Sequence, residues 1–249
     1  MSRQGQRSVL GTCAVWLLLA ASAVAQAVTT NSLTLDAAIE RFLRLFPMGF
    51  DDPGYLGDRK TGERNYKLAA HEHYQAHLGD GKLGDVLKSD VSKAIAEAER
   101  TIGMVNLLHK IEISALRDGL RDENAARRFF EALDDLLLSP TIEQSLVETY
   151  FNAVDRLPAE GGRVAIWTVA TILPFLAQPA KYIFVKPTVT QAVADSLGFH
   201  IRYRPDLNWE TYEAVLRMAN MYKERLAHLK PRDFIDVQSF FWVACGGYE

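Results

Sequence analysis

Apolar residues recur with a period near 3.6 along almost the whole chain, and no other feature of the sequence restricts its fold as strongly. Leu35, Ile39, Phe42, Leu43 and Phe46 share one helical face, which Pro47 and Gly49 terminate before a Gly-, Asp- and Pro-rich loop from Met48 to Gly62. A second helix is predicted over Glu63 to Leu78, closed by Gly79-Asp80-Gly81, and a third on Val91, Ile95, Ala98, Ile102 and Val105. Leu107 to Leu120 continues helical after a break near Gly103 to Asn106, and Glu123 to Leu138 follows, stopped by Ser139-Pro140. Thr141 with Gln144 reads as a capping box for a helix burying Leu146, Tyr150, Val154 and Leu157. Ala165 to Ala177 is apolar nearly all round with Pro174 inside it, so a buried, kinked or broken helix is expected there. Asn208 caps a long helix that Pro231 breaks, and Asp233 opens the last one, Phe234 to about Ala244, also apolar on most sides. Two short β-like runs, Tyr182 to Val185 and His200 to Tyr203, flank a helix that Thr188 and Gln191 cap as a box at its start and Gly198 at its end, and could pair as a ribbon. The fold class is therefore all-α with at most a two-stranded β element, and no linker or repeat after residue 32 divides residues 26–249 into more than one domain.

The start of the chain carries an address. Arg3 and Arg7 precede an uncharged run from Val9 to Val24 that ends in small residues, the three-part pattern of a secretory signal peptide with cleavage after Ala25. A retained anchor fits less well, because the stretch dilutes into Ser22, Gln26, Thr29, Thr30 and Asn31, short of the about 20 apolar residues a spanning helix needs. The expectation is a periplasmic or secreted protein with no stable membrane insertion once residues 1–25 are removed; a cytoplasmic protein with a misassigned start is the alternative. Cleavage takes the net charge from −3 to −5 and leaves Cys245 as the single cysteine, excluding an internal disulfide. Cys245 ends an apolar run, Phe240 to Cys245, and is expected to be a buried, inert thiol. With 48% hydrophobic and 24% charged residues and no basic surplus, the composition excludes a disordered or collagenous chain and gives no reason to expect nucleic acid as the main partner.

Most catalytic patterns are absent or out of context. Gly79-Asp80-Gly81-Lys82-Leu83-Gly84 spells a dinucleotide fingerprint, but a helix rather than a strand precedes it, so it reads as a helix–helix turn and no cofactor is expected. No nucleophile elbow and no phosphate-binding loop with its lysine occur. His73 and His77 stand one helical turn apart, where both could reach one Zn²⁺ with a third ligand from elsewhere, while His71 points away; a solvated polar face is the plainer reading, and no metal is assigned. Glu131, Asp134 and Asp135, and Glu97 with Glu99, are read as solvated carboxylates. Lys181, Lys186, Arg202 and Arg204 interleave with Tyr182, Phe184, Phe199 and Tyr203, a weak anion or nucleic-acid signature cancelled by acids nearby. Asp236 interrupts the apolar last helix; lying three residues after Asp233, it is read as a carboxylate meeting the free amides of the helix start.

The ending Lys230-Pro231-Arg232-Asp233-Phe234-Ile235-Asp236-Val237-Gln238-Ser239-Phe240-Phe241-Trp242-Val243, with Phe184-Val185-Lys186-Pro187-Thr188-Val189-Thr190 and Tyr66-Lys67-Leu68-Ala69-Ala70-His71-Glu72, resembles a bacterial family of uncharacterised proteins. The resemblance spans most of the chain after residue 25. It implies cytosolic relatives, from which the signal-like start departs, and brings no activity, ligand or catalytic residue. Two classes of function stand. The favoured one is an exported, non-catalytic module that binds a protein or a small molecule. The other is an enzyme, or a binder of small anions or nucleic acid, built from Lys186, Arg202, Asp233, Asp236 and Gln238.

Overall fold

A computed structural model describes residues 34–57, 62–158, 163–196 and 198–247; the expected signal peptide lies outside them. The residues from Thr34 onward cluster into one compact unit. Twelve α-helices and no strand are present among the described residues, an all-α fold. They are α1 (Leu35–Leu45), α2 (Pro53–Leu56), α3 (Asn65–His77), α4 (Lys82–Ser89), α5 (Val91–Gly103), α6 (Lys110–Gly119), α7 (Glu123–Leu138), α8 (Gln144–Asp155), α9 (Trp167–Ala177), α10 (Pro187–Ser196), α11 (Trp209–Arg225) and α12 (Phe234–Ala244). None is long and apolar enough to cross a membrane.

Several boundaries follow from local chemistry. The Asp122, Asn208 and Asp233 side chains accept hydrogen bonds from first-turn amides of α7, α11 and α12, satisfying donors that a helix start leaves open. Two expected capping boxes do not form. Glu143, not Thr141, is the residue before α8, while Gln144 turns along the helix to Glu148. At α10 Pro187 takes the first position, where its missing N–H costs nothing, and Gln191 bonds back to the Pro187 carbonyl. Within the expected loop 48–62, Asp52 and Pro53 start the one-turn helix α2: the Asp52 carboxylate accepts from the Gly54 amide at 2.8 Å. A further helix, α4, follows directly on the Gly79–Gly81 turn, which places Gly84 inside a helix and away from any strand. Asp80 and Gly81 make that turn with φ of 54° and 80°.

Helix α9 is the hub. Every residue from Trp167 to Ala177 is buried, and α3, α5, α6 and α7 all pack on it. The helix continues through Pro174, which lacks the N–H that would otherwise reach the Ala170 carbonyl. Helix α12 is buried from Phe234 to Ala244 except at Trp242, against α1, α10 and α11. A helix without a polar face of ordinary width has to be surrounded, and these two are.

The β-like runs do not pair. Tyr182 to Val185 is an extended segment buried within the helices, where the Val185 amide donates to the Thr171 hydroxyl and the Tyr182 hydroxyl donates to the Leu136 carbonyl. Residues 200–203 are held instead by α11: the Thr211 hydroxyl donates to the Arg202 carbonyl. Side chains and helix ends satisfy these backbones, so the ribbon has no role to fill.

Candidate functional site

The five residues of the C-terminal cluster separate into three places. Asp233 and Asp236 enter a buried ion network with residues more than 160 positions earlier. Arg64, just before α3, donates to Asp233 Oδ1 at 2.9 Å and Oδ2 at 2.7 Å, and to Asp236 Oδ1 at 2.7 Å. Tyr55 of α2 donates its hydroxyl to Asp236 Oδ1 at 2.5 Å, and the Arg232 amide reaches Oδ2 at 2.7 Å. Asp236 is 0% exposed, so it is not a simple helix-start carboxylate: Asp233 caps the amides of Ile235 and Asp236, while Asp236 turns inward. Burial works against the charge on Asp233, but the Arg64 hydrogen bonds and charge, aided by the two capped amides, hold its carboxyl below the usual range. Burial likewise opposes the charge on Arg64, and its two carboxylates outweigh that and raise its pKa. The Tyr55 hydroxyl is pushed up by burial first and by the Asp236 charge next. Every carboxylate oxygen here already has a donor, an arrangement that ties α2, α3 and α12 together.

Lys186 and Gln238 meet elsewhere. Below the network, Lys67 is fully buried, donating to Glu63 Oε2 at 2.7 Å and to Ser239 Oγ at 2.9 Å; burial lowers its pKa more than Glu63 restores it. Glu63 also forms one wall of a recess of about 80 Å³, with Tyr66, Gln238 and Trp242, that shares Asn106, Leu107 and Lys186 with a cleft of about 500 Å³ beside it. The Lys186 ammonium lies 4.6 Å over the Trp242 ring, between recess and cleft. The cleft is flanked by the first turns of α6 and α10: Glu112 there accepts from the His109 amide and the Thr168 hydroxyl, and Pro187-Thr188 presents the positive end of α10. Gln238 is 4% exposed, and its Oε1 has no hydrogen-bond partner.

Arg202 joins neither group. It is exposed in the turn before α11, in the left-handed region at φ 46°, and the enzyme constellation of five residues is therefore not assembled. The basic and aromatic residues around it do not form a stacking face, because Tyr182 and Phe184 are buried. Cys245 is exposed, not buried, because it is the residue that ends α12; its thiol touches the Val189 carbonyl at 3.6 Å and is pushed up by desolvation.

His73 and His77 do share a face of α3, with rings stacked at 4.3 Å between centroids. His71 turns away to the Leu176 carbonyl. Glu97 of α5, read from the sequence as solvated, lies against them because α3 and α5 pack together. Desolvation, followed by the neighbouring His77, lowers the His73 pKa.

The partners Tyr55, Glu63, Arg64, Asn106 and Trp242 were not legible as site residues. The nearest signal was the charged start of α3, Glu63-Arg64-Asn65-Tyr66-Lys67, where three charged residues enter a helix that buries Tyr66, Ala70 and Tyr74. Comparison of the chain with protein-family models, curated proteins and solved structures gives no match.

Proposed function

We propose that the protein is an exported, non-catalytic binding module that takes a small anion bearing an N–H or O–H donor into the cleft beside Lys186 and Gln238. The observation that carries this reading is the Gln238 amide oxygen, buried without a partner in a recess that opens beside a lysine. Leaving such an acceptor unsatisfied costs about 1–3 kcal/mol, which a donor on a ligand would recover. The recess has room for about two or three groups the size of water. The anionic end would face the Lys186 ammonium and the first turn of α10, where no carboxylate is in ion-pair contact with Lys186 among the described residues. The carboxylates of the buried ion network are already engaged by Arg64, Tyr55 and the Arg232 amide, which leaves the recess beside Lys186 as the place for a ligand. Export, with cleavage after Ala25, and kinship to the bacterial family sharing the 230–243 ending belong to the proposal.

Calorimetric titration with amino acids, hydroxy acids and phosphate monoesters tests it. At least one class should bind, and Lys186→Met and Gln238→Leu should each weaken that binding about 10- to 100-fold, the equivalent of about 1.5–3 kcal/mol. Binding that both variants leave intact, or no binding by any of the three classes, would reject the cleft as the site.

A further inference from the structure

The hydrogen bonds around His73 and His77 decide which ring nitrogens are free. The Thr101 hydroxyl donates its one proton to the Glu97 carbonyl at 2.8 Å, so at its 3.1 Å contact with His73 Nδ1 it can only accept. His73 therefore carries hydrogen on Nδ1. His77 Nδ1 lies 2.9 Å from the His73 carbonyl, which also can only accept, so His77 carries hydrogen on Nδ1 too. Both rings are left with Nε2 as the free lone pair, each oriented by an acceptor on the opposite nitrogen, as in ligating histidines.

His73 Nε2 and Glu97 Oε2 are 3.3 Å apart and shielded from solvent, yet neither has a hydrogen-bond partner. The separation would allow a bond; the direction does not. Two acceptor atoms this close, buried and unpartnered, leave a shared need for a donor or a cation. In a tetrahedral zinc site with ligands at about 2.0–2.1 Å, neighbouring donor atoms stand about 3.3–3.4 Å apart. One donor atom from each of His73, His77 and Glu97 lies within 4.8 Å of the others.

We infer that His73 Nε2, His77 Nε2 and the Glu97 carboxylate bind a divalent zinc ion, with the fourth position open to water on the His77 side. Two nitrogens and one carboxylate suit zinc over calcium or magnesium, which prefer all-oxygen sites. The ion would join α3 to α5, and Thr101 would act as a positioning residue that holds the His73 ring.

The test uses protein free of any histidine tag, stripped with a chelator and titrated with Zn²⁺ against a chromophoric competitor, with Ca²⁺ and Mg²⁺ as controls. One zinc per chain is expected, with His77→Ala and Glu97→Gln each lowering affinity at least tenfold and Thr101→Val lowering it about 10- to 100-fold. Zinc should also raise the melting temperature of the unsubstituted protein and not that of His77→Ala, in which an exposed side chain is removed and the fold has no reason to fail. Zinc binding equal in the unsubstituted protein and His77→Ala, or absent from both, would overturn the site.

Discussion

Replacing Asp236 by Asn removes one charge from the centre of the fold without changing its volume, and the structure sets what that costs. The carboxylate is 0% exposed and accepts from Tyr55, Arg64, the Arg232 amide and, at 3.4 Å, the Arg232 guanidinium. An Asn can offer only one oxygen, so its NH₂ group must face either the Tyr55 and Arg64 donors or the Arg232 amide. At least one buried donor then loses its acceptor, at about 1–3 kcal/mol, and Arg64 keeps only its two bonds to Asp233. Breaking a buried pair outright costs about 3–5 kcal/mol. Because Asp233 still compensates Arg64, the expected loss lies near the bottom of that range, about 3 kcal/mol. The control is Asp51→Asn, which removes an exposed partner of Arg232, with side chains 55% and 36% exposed, and should cost less than about 1 kcal/mol. Urea denaturation followed by circular dichroism reads both, with the slope checked for constancy so that the midpoint shift reports stability. If Asp236→Asn and Asp51→Asn destabilise alike, the network is not the tie between α2, α3 and α12 described above.

Two more outcomes are expected. Because the Asp233 carboxyl titrates below its ordinary value in the folded protein, it contributes stability that is complete above the unfolded pKa of about 3.9 and is lost as pH falls through the lower folded value; the difference in urea midpoint between the unsubstituted protein and Asp233→Asn should therefore shrink as pH drops from 6 towards 3, and a constant gap would refute the pairing. N-terminal sequencing after expression in a bacterium with an export pathway should find Gln26 first in the periplasmic fraction, whereas an intact Met1 in the cytosol would refute export.

The sequence alone determined most of the longer helices and several of their starts, though not α2 or α4. Period 3.6 is written into neighbouring residues, and the Asp122, Asn208 and Asp233 caps act on amides two or three positions away, so both can be read without knowing what packs where. The burial of α9 and α12 was equally legible, since an apolar surface on all sides leaves no other option. The failures were local signals that a distant contact outweighed. Tyr182 to Val185 has strand-forming residues, but Thr171 and the surrounding helices satisfy it; Cys245 follows an apolar run, but the end of α12 leaves it outside. Only tertiary structure decided that Asp236 meets Arg64 across 172 positions, that Gln238 looks into a recess beside Lys186, and that Glu97 of α5 turns to His73 of α3. The physical reason is that a helix fixes which of its own residues share a face, whereas the partner a face meets depends on how whole helices stack, and that is set by the combined burial of side chains far apart in the chain.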